Sequence, residues 1–275
     1  MSKEPNICPY PGLRPFTEEE SIYFKGRDRH INLIIEELSG KKFLMVTGAS
    51  GDGKSSMIYA GLLPNVRAGF FKAKYNKWAI AVFRPGNDPL KNLAGILAPQ
   101  LHHESAQNVE TSLSYGYSAL IDLYKNTPLY LDEQSEEWIK ASEEERKKIK
   151  QNASNLLIVV DQFEEFFTNK ENFDKETAIP SITAQLVMNL LIETARIATR
   201  DNLPVYIVCT MRSDYIGNAP AFRGLPELIG NNHFFVPRLN REEILQVIQE
   251  PAALSGNKIS LRLAQRLVND LDVVN

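Results

Sequence analysis

Three short stretches of this 275-residue chain carry residue types suited to phosphate chemistry. The first is "GASGDGKSS", Gly48 to Ser56, in which Gly48, Gly53, Lys54 and Ser55 satisfy G-x-x-x-x-G-K-[ST] in full. Glycines at 48, 51 and 53 permit backbone conformations that turn successive N–H groups toward one anion. The start of a following helix adds partial positive charge. Such a loop wraps the phosphates of a nucleotide with Ala49, Ser50, Asp52 and Ser56 completing it. Lys54 reaches the β- and γ-phosphates and the Ser55 hydroxyl takes Mg²⁺.

The second stretch is "LLIVVDQFEEFF", Leu156 to Phe167, where five apolar residues run straight into Asp161 and Glu164 and Glu165 follow. An acid closing a buried strand beside a phosphate loop is placed to serve Mg²⁺. The competing reading makes Asp161 an N-cap, with Glu164 reaching back as in a capping box. The two readings are compatible. Together they leave Glu165 free to act on an attacking water, with Glu164 as its competitor for that role. The third stretch, "CTMRSDY", puts Arg212 just past a strand. That is the ligand edge of a parallel sheet. There Arg212 can touch a γ-phosphate; a surface pairing with Asp214 or Asp201 is the alternative.

The base is read by exclusion. Guanine readers use Asn-Lys-x-Asp, and the three Asn-Lys pairs here continue "NKWA", "NKEN" and "NKIS". Adenine is therefore expected, and with it ATP and ADP. Its side of the site is "YFKGRDRH", residues 23–30. Tyr23 or Phe24 supplies an apolar face, the backbone near Gly26 meets the base edge, and Arg27 anchors the loop.

The elements that must position these groups follow from periodicity. "FLMVT", "WAIAVF", "LLIVV", "VYIVCT" and "HFFV" read as strands. Helices are expected over 28–38 (ended by Gly40), 54–63, 89–101, 117–124 and about 181–200. The block 134–151, "QSEEWIKASEEERKKIKQ", reads as one solvated helix with its acidic half first, as the helix dipole favours. Strand and helix alternate from 43 to 236. The fold class is thus α/β: a three-layer P-loop NTPase sandwich on a five-stranded parallel sheet, then a small helical segment. Residues 1–25, punctuated by Pro5, Pro9, Pro11 and Pro15, form a lead-in packed on the core. Residues 26–238 form the nucleotide domain, with an insertion at about 100–155. Residues 239–275 begin a helical lid that is cut short.

Composition bounds the function. With 43% hydrophobic and 24% charged residues the chain is globular rather than disordered. A net charge of -3 argues against a broad nucleic-acid footprint. The two cysteines are far apart in sequence, the N-terminus has no apolar leader, and no run reaches membrane-spanning length, which together point to the cytoplasm. The four histidines form no metal pattern.

The ordered set "PYPGLRPF", "YFKGRD", "VTGASGDGKSS", "GLLP", "FRPGNDPL", "LLIVVDQFEEFF", "CTMRSDY" and "VPRLNREEILQVIQEPA" resembles the STAND class of P-loop NTPases. Its nearest resemblance is to the bacterial novel STAND group. The resemblance implies an ATPase switch, compact with ADP and self-associating through its NTPase domains with ATP, used in bacterial signal transduction or antiphage defence. It implies a lid, a sensor and an effector beyond residue 275, and no N-terminal effector. Against the Asp-Gly-x-Asp-Glu strand end of NACHT-type relatives, Asp161 matches the Mg²⁺ acid and Glu165 the final acid. Gln162 departs from the adjacent Asp-Glu pair of AAA+ ATPases, which allows slow hydrolysis. Pro237 corresponds to a proline on the adenine side, and Arg223 and Arg238 are candidates for contacts between subunits. A non-hydrolysing ADP/ATP-binding module and a DNA-acting AAA+-like ATPase are the competing functions.

Overall fold

The computed structural model describes residues 8–103 and 105–274; Pro5 and the rest of residues 1–7 lie outside them. Helix α1 (Asp28–Lys41) leads into strand β1 (Phe43–Gly48) and the glycine-rich loop. The next helix begins as α2 (Lys54–Ser56), widens to π geometry over Met57–Leu62 and returns to α geometry in α3 (Leu63–Arg67). Strand β2 (Lys77–Phe83) precedes α4 (Pro89–Gln100), α5 (Ala106–Leu113), α6 (Ala119–Lys125), α7 (Glu136–Lys140) and α8 (Glu143–Asn152). Strand β3 (Ser154–Val160), the short α9 (Glu165–Thr168) and a small antiparallel pair, β4 (Phe173–Asp174) with β5 (Ile179–Pro180), come next. Then follow α10 (Ile182–Arg200), β6 (Val205–Arg212), α11 (Leu225–Gly230), β7 (His233–Phe235), α12 (Arg241–Leu254) and α13 (Leu261–Val274).

The main sheet is five-stranded and parallel, in the order β2-β3-β6-β1-β7. Every residue of β1 and β3 is buried. That is why these strands read as unbroken apolar runs: helices cover both faces of a parallel sheet. The period of two still divides each strand. Phe43, Met45, Leu156, Ile158, Val205 and Ile207 pack with α4, α6 and α10 on one face. Leu44, Val46, Leu157, Val159, Tyr206 and Val208 pack with α1 and the loop helix on the other. Two apolar layers with the sheet between them give the three-layer sandwich.

Three sequence expectations change. Helix α1 does not stop at Gly40 but runs to Lys41; the break is made by Lys42, at φ 61°. The Lys42 side chain is buried over the Tyr206 ring, with Nζ 4.3 Å from the centroid and 3.1 Å from Oη. Burial lowers its pKa. The charged block 134–151 is two helices, not one. Ser135 caps α7 and Ser142 forms a capping box with Glu145 at the start of α8. Arg146 donates to the carbonyls of Trp138 and Ile139, satisfying the end of α7. The serine-glutamate cap signal inside the block outweighs its dipole-ordered charges. Finally, the helix after the loop outlasts residue 63 and contains the π turn, where Gly61 lets Ile31 of α1 close in: a Cβ there would lie 2.6 Å from Ile31 Cδ1.

The lead-in touches both the loop helix and the C-terminal helices. Phe16 N–H donates to Ser56 Oγ at 3.1 Å, and Tyr10 Oη donates to the Ile248 carbonyl of α12. Helix α12 opens on an Asn240–Glu243 capping box and presses on Gly26, which sits at φ 75°. A Cβ at Gly26 would lie 2.6 Å from the Glu243 carbonyl oxygen and 2.8 Å from Val247. Gly26→Ala combines this clash with an unfavourable backbone conformation. It is expected to cost about 1–3 kcal/mol, read as a lower thermal midpoint. Among the described residues no helix is long and apolar enough to cross a membrane.

Candidate nucleotide site

Register assembles the site. Gly48 pairs with Arg212 across β1 and β6, and Val160 with Cys209 across β3 and β6. The start of the glycine-rich loop, Asp161 and Thr210 therefore meet at the carboxyl edge of the sheet. Gly51 and Gly53 take φ of 88° and 83°, the left-handed conformations that the motif's glycines permit. The Asp52 carboxylate accepts from Ala49 N–H, and Arg27 Nη2 donates to the Asp52 carbonyl at 3.2 Å. Arg27 Nη1 also donates to the Pro237 carbonyl at 2.7 Å, so one guanidinium ties the loop to the segment before α12. Lys54 is buried and lies back on the loop, its Nζ donating to the carbonyls of Gly48 and Ala49 at 3.0 and 2.6 Å. Burial lowers its pKa, opposed by the charges of Glu164, Asp52 and Asp161.

Asp161 is 1% exposed, and its carboxylate is surrounded by donors. Oδ1 accepts from Ser55 Oγ and from Thr210 Oγ1, each at 2.7 Å. Oδ2 accepts from Tyr59 Oη at 3.0 Å and from Arg84 Nε and Nη2 at 3.1 and 2.9 Å. Burial pushes this carboxyl up, but the Ser55 and Thr210 hydrogen bonds and the Arg84 charge hold it below the usual range. It caps no helix. The chain leaves β3 through Gln162 at φ 56°, whose N–H donates to Thr210 Oγ1, and α9 starts only at Glu165. The capping box expected of Glu164 is absent, because the Asp161 N–H is bonded to the Phe83 carbonyl.

The two glutamates diverge. Glu164 Oε2 accepts from Arg212 N–H at 3.3 Å. Burial raises the Glu164 carboxyl, opposed by that N–H and by the Lys54 charge. Glu165 Oε2 instead accepts from Gly86 N–H at 2.8 Å, on the loop after β2. Arg212 adopts the surface pairing with Asp214, at 2.6 Å, and lies over the Tyr215 ring. Its Nε is buried without a partner among the described residues.

A cavity of about 690 Å³ is lined by Ser50, Gly51, Gly53, Lys54, Ser55, Ser56, Arg84, Glu164, Glu165 and Arg212, with Gly12 to Phe16 of the lead-in. A neighbouring one of about 940 Å³ is lined by Tyr23, Phe24, Arg27, Ser50 to Gly53, Arg238, Leu239, Ile244, Val247 and Pro251. Both include Phe16, Phe24 and the loop. The two cavities share a border, and the second is the more apolar. Phe16 and Phe24, with ring centroids 5.4 Å apart, stand where the two meet. Gly26 is a packing position against α12.

The residues fit Mg²⁺: a buried carboxylate and the Ser55 hydroxyl are hard oxygen donors. Such ions are held by one or two carboxylates plus substrate phosphates rather than by an all-protein cage. Accordingly, among the described residues no three His, Cys, Asp or Glu form a cluster able to hold a metal by themselves.

Sequence reasoning missed Arg84, Tyr59 and Thr210. Tyr59 lies four residues after Ser55, the spacing that puts two side chains on one helix face. Thr210 is a hydroxyl inside an apolar strand. Arg84 opens "RPGNDP", with no local pattern linking it to Asp161 77 residues away.

No curated protein matches this chain. Among solved structures, a Walker-type ATPase of Pyrococcus abyssi is similar at a TM-score of 0.51 and 13% identity, over 94% of this chain and 66% of that one. The Aeropyrum pernix ORC2 protein, solved with ADPNP and ADP, gives a TM-score of 0.46 and 16% identity over 83% of this chain. The chain spans 50% of that protein's length. A chain of the E. coli MS115-1 HORMA:CdnC:Trip13 complex gives 0.48 and 14%, over 94% of this chain and 78% of that one. At these identities the likeness to the Pyrococcus ATPase speaks to the fold, that of a P-loop ATPase. The family described as Novel STAND NTPase 1 matches residues 9–274. A match of that extent leaves little of the chain outside it, and the protein belongs to the novel STAND NTPase family.

Proposed function

We propose that this NTPase is an ATP-binding switch that hydrolyses ATP slowly with Mg²⁺ and self-associates in its ATP state, within bacterial signalling or antiphage defence. The observation that carries the nucleotide chemistry is the Ser55–Asp161 hydrogen bond of 2.7 Å, which joins the phosphate loop to the strand-end acid beside Lys54.

The Lys54 ammonium, now resting on two loop carbonyls, exchanges them for β- and γ-phosphate oxygens. Ser55 and Asp161 are the residues that would hold Mg²⁺, which when bound neutralises phosphate charge and fixes phosphate geometry. Glu164 is the group proposed to polarise the attacking water. It lies beside Arg212 and within the field of Lys54, and burial raises its carboxyl toward the range of a useful base. This reverses the preference for Glu165, whose carboxylate is held by the Gly86 N–H at 2.8 Å, closer than the 3.3 Å between Glu164 and the Arg212 N–H. Arg212 reports on the γ-phosphate by exchanging Asp214 for it. Phe24 and Phe16 supply the apolar surface for adenine, and Arg27 couples the loop to Pro237 and so to α12. That link gives nucleotide state a route to the helices that follow.

Lys54→Ala tests the nucleotide reading. Titration calorimetry with Mg·ATP is expected to show affinity weakened about tenfold to a hundredfold, the worth of charged hydrogen bonds to phosphate. Unchanged affinity would refute phosphate binding at this loop.

A further inference from the structure

We infer that Arg84 is a built-in counter-ion that stands in for the divalent cation at Asp161, so that Arg84 and Mg²⁺ compete for Oδ2 of that carboxylate. The inference rests on the nucleotide and Mg²⁺ reading above.

A carboxylate has about four lone-pair sites. At Asp161 two go to Ser55 and Thr210 on Oδ1, and Oδ2 takes Tyr59 and both Arg84 nitrogens. No acceptor capacity is left for a metal or a bridging water, so metal ligation requires a donor to leave. Ser55 can stay, because rotation of its hydroxyl turns a lone pair outward. Arg84 is the donor with freedom to go: its side chain is 46% exposed against 1% for Asp161. It also lines the phosphate cavity, so leaving Asp161 keeps it in an anionic environment once nucleotide is present. A buried carboxylate left without a cation is strongly unfavourable. The acid therefore needs a positive partner in both states, and the arginine supplies it when the metal does not.

The backbone that carries Arg84 is held, while its side chain is half-exposed. Gly86, at φ 57°, donates its N–H to Glu165 Oε2, and its carbonyl accepts from Asn169 Nδ2 and Asn172 Nδ2 at 2.5 and 2.6 Å. Asn92 Nδ2 donates to the carbonyls of Arg84 and Pro85. Asn172 is fully buried. Glu165 is on this account a positioning residue, acting on the acid through Gly86 and Arg84.

The test is ADP affinity of the full chain by titration calorimetry, with Mg²⁺ and with a chelator, for wild type, Arg84→Ala and Arg84→Gln. Removing the competitor is expected to enlarge the factor by which Mg²⁺ tightens ADP binding by about tenfold, one charged hydrogen bond's worth. Without nucleotide and metal, Arg84→Ala is also expected to unfold at a lower temperature than wild type, and Mg·ADP to narrow that gap. Arg84→Gln keeps a donor and loses the charge, and it carries the same test should Arg84→Ala fail to fold. An Mg²⁺ factor equal to wild type in the variants overturns the inference alone. A wild type that binds no ADP under either condition overturns the nucleotide reading and the inference with it.

Discussion

Glu164→Gln is expected to lower ATP turnover about 10²–10⁴-fold, the range of a positioned general base, while ATP affinity stays close to wild type. The amide keeps an oxygen for the Arg212 N–H, so the turn from β3 into α9 is preserved while the proton acceptor is lost. Glu165→Gln keeps an oxygen for Gly86 and is expected to lose far less. Single-turnover rates at saturating Mg·ATP decide between them, and an equal or larger loss in Glu165→Gln would return the water to Glu165. The pH profile is a second readout. Burial raises the Glu164 carboxyl, and the base must be ionised to work. Turnover should therefore fall, as pH is lowered, at a higher pH than an unburied glutamate would give. That acidic limb should be absent from the residual rate of Glu164→Gln.

Asp161→Ala is expected to cost about 1–3 kcal/mol of stability in nucleotide-free protein, the penalty for leaving the buried Thr210 hydroxyl and its neighbours without their acceptor, while the half-exposed Arg84 is rehydrated. Four side chains, all distant from Asp161 in sequence, lose their acceptor at once. Against a typical stability of about 5–15 kcal/mol, that is a substantial share of the total. Urea unfolding followed by circular dichroism measures it. A loss below about 1 kcal/mol would mean that water satisfies the stranded donors and that the cluster matters little to the fold. In an Asp161→Ala, Arg84→Ala double-mutant cycle the two losses should not add, because each removes the same pair.

Much of this site was legible in the chain because its signals are local. The phosphate loop is a run of nine residues whose glycines and lysine act within one turn, and strands β1, β3 and β6 show their two-sided burial in the apolar runs FLMV, LLIVV and VYIVC. What followed β3 was less legible. Gln162 takes a left-handed conformation where the NACHT-type pattern has glycine, and nothing about a glutamine announces that. This turn carries the chain past the helix start that would have made Asp161 a cap. The helix break at residue 141 was readable from Ser142 and Glu145, but was hidden by a charge order that suits one long helix equally well.

The sequence by itself determined the fold class, the phosphate loop and the acid at the end of β3. Each depends on residues close together in the chain, and backbone conformation and burial period act over such distances. Only the tertiary structure decided what that acid touches and which glutamate points where. The strand order β2-β3-β6-β1-β7 sets the end of β2 and the end of β6 on either side of β3. Arg84 and Thr210 thereby reach Asp161 from opposite flanks, and Gly86 draws off Glu165 while Arg212 receives Glu164. Contacts between separate strands are governed by sheet register, which no local pattern in the chain encodes.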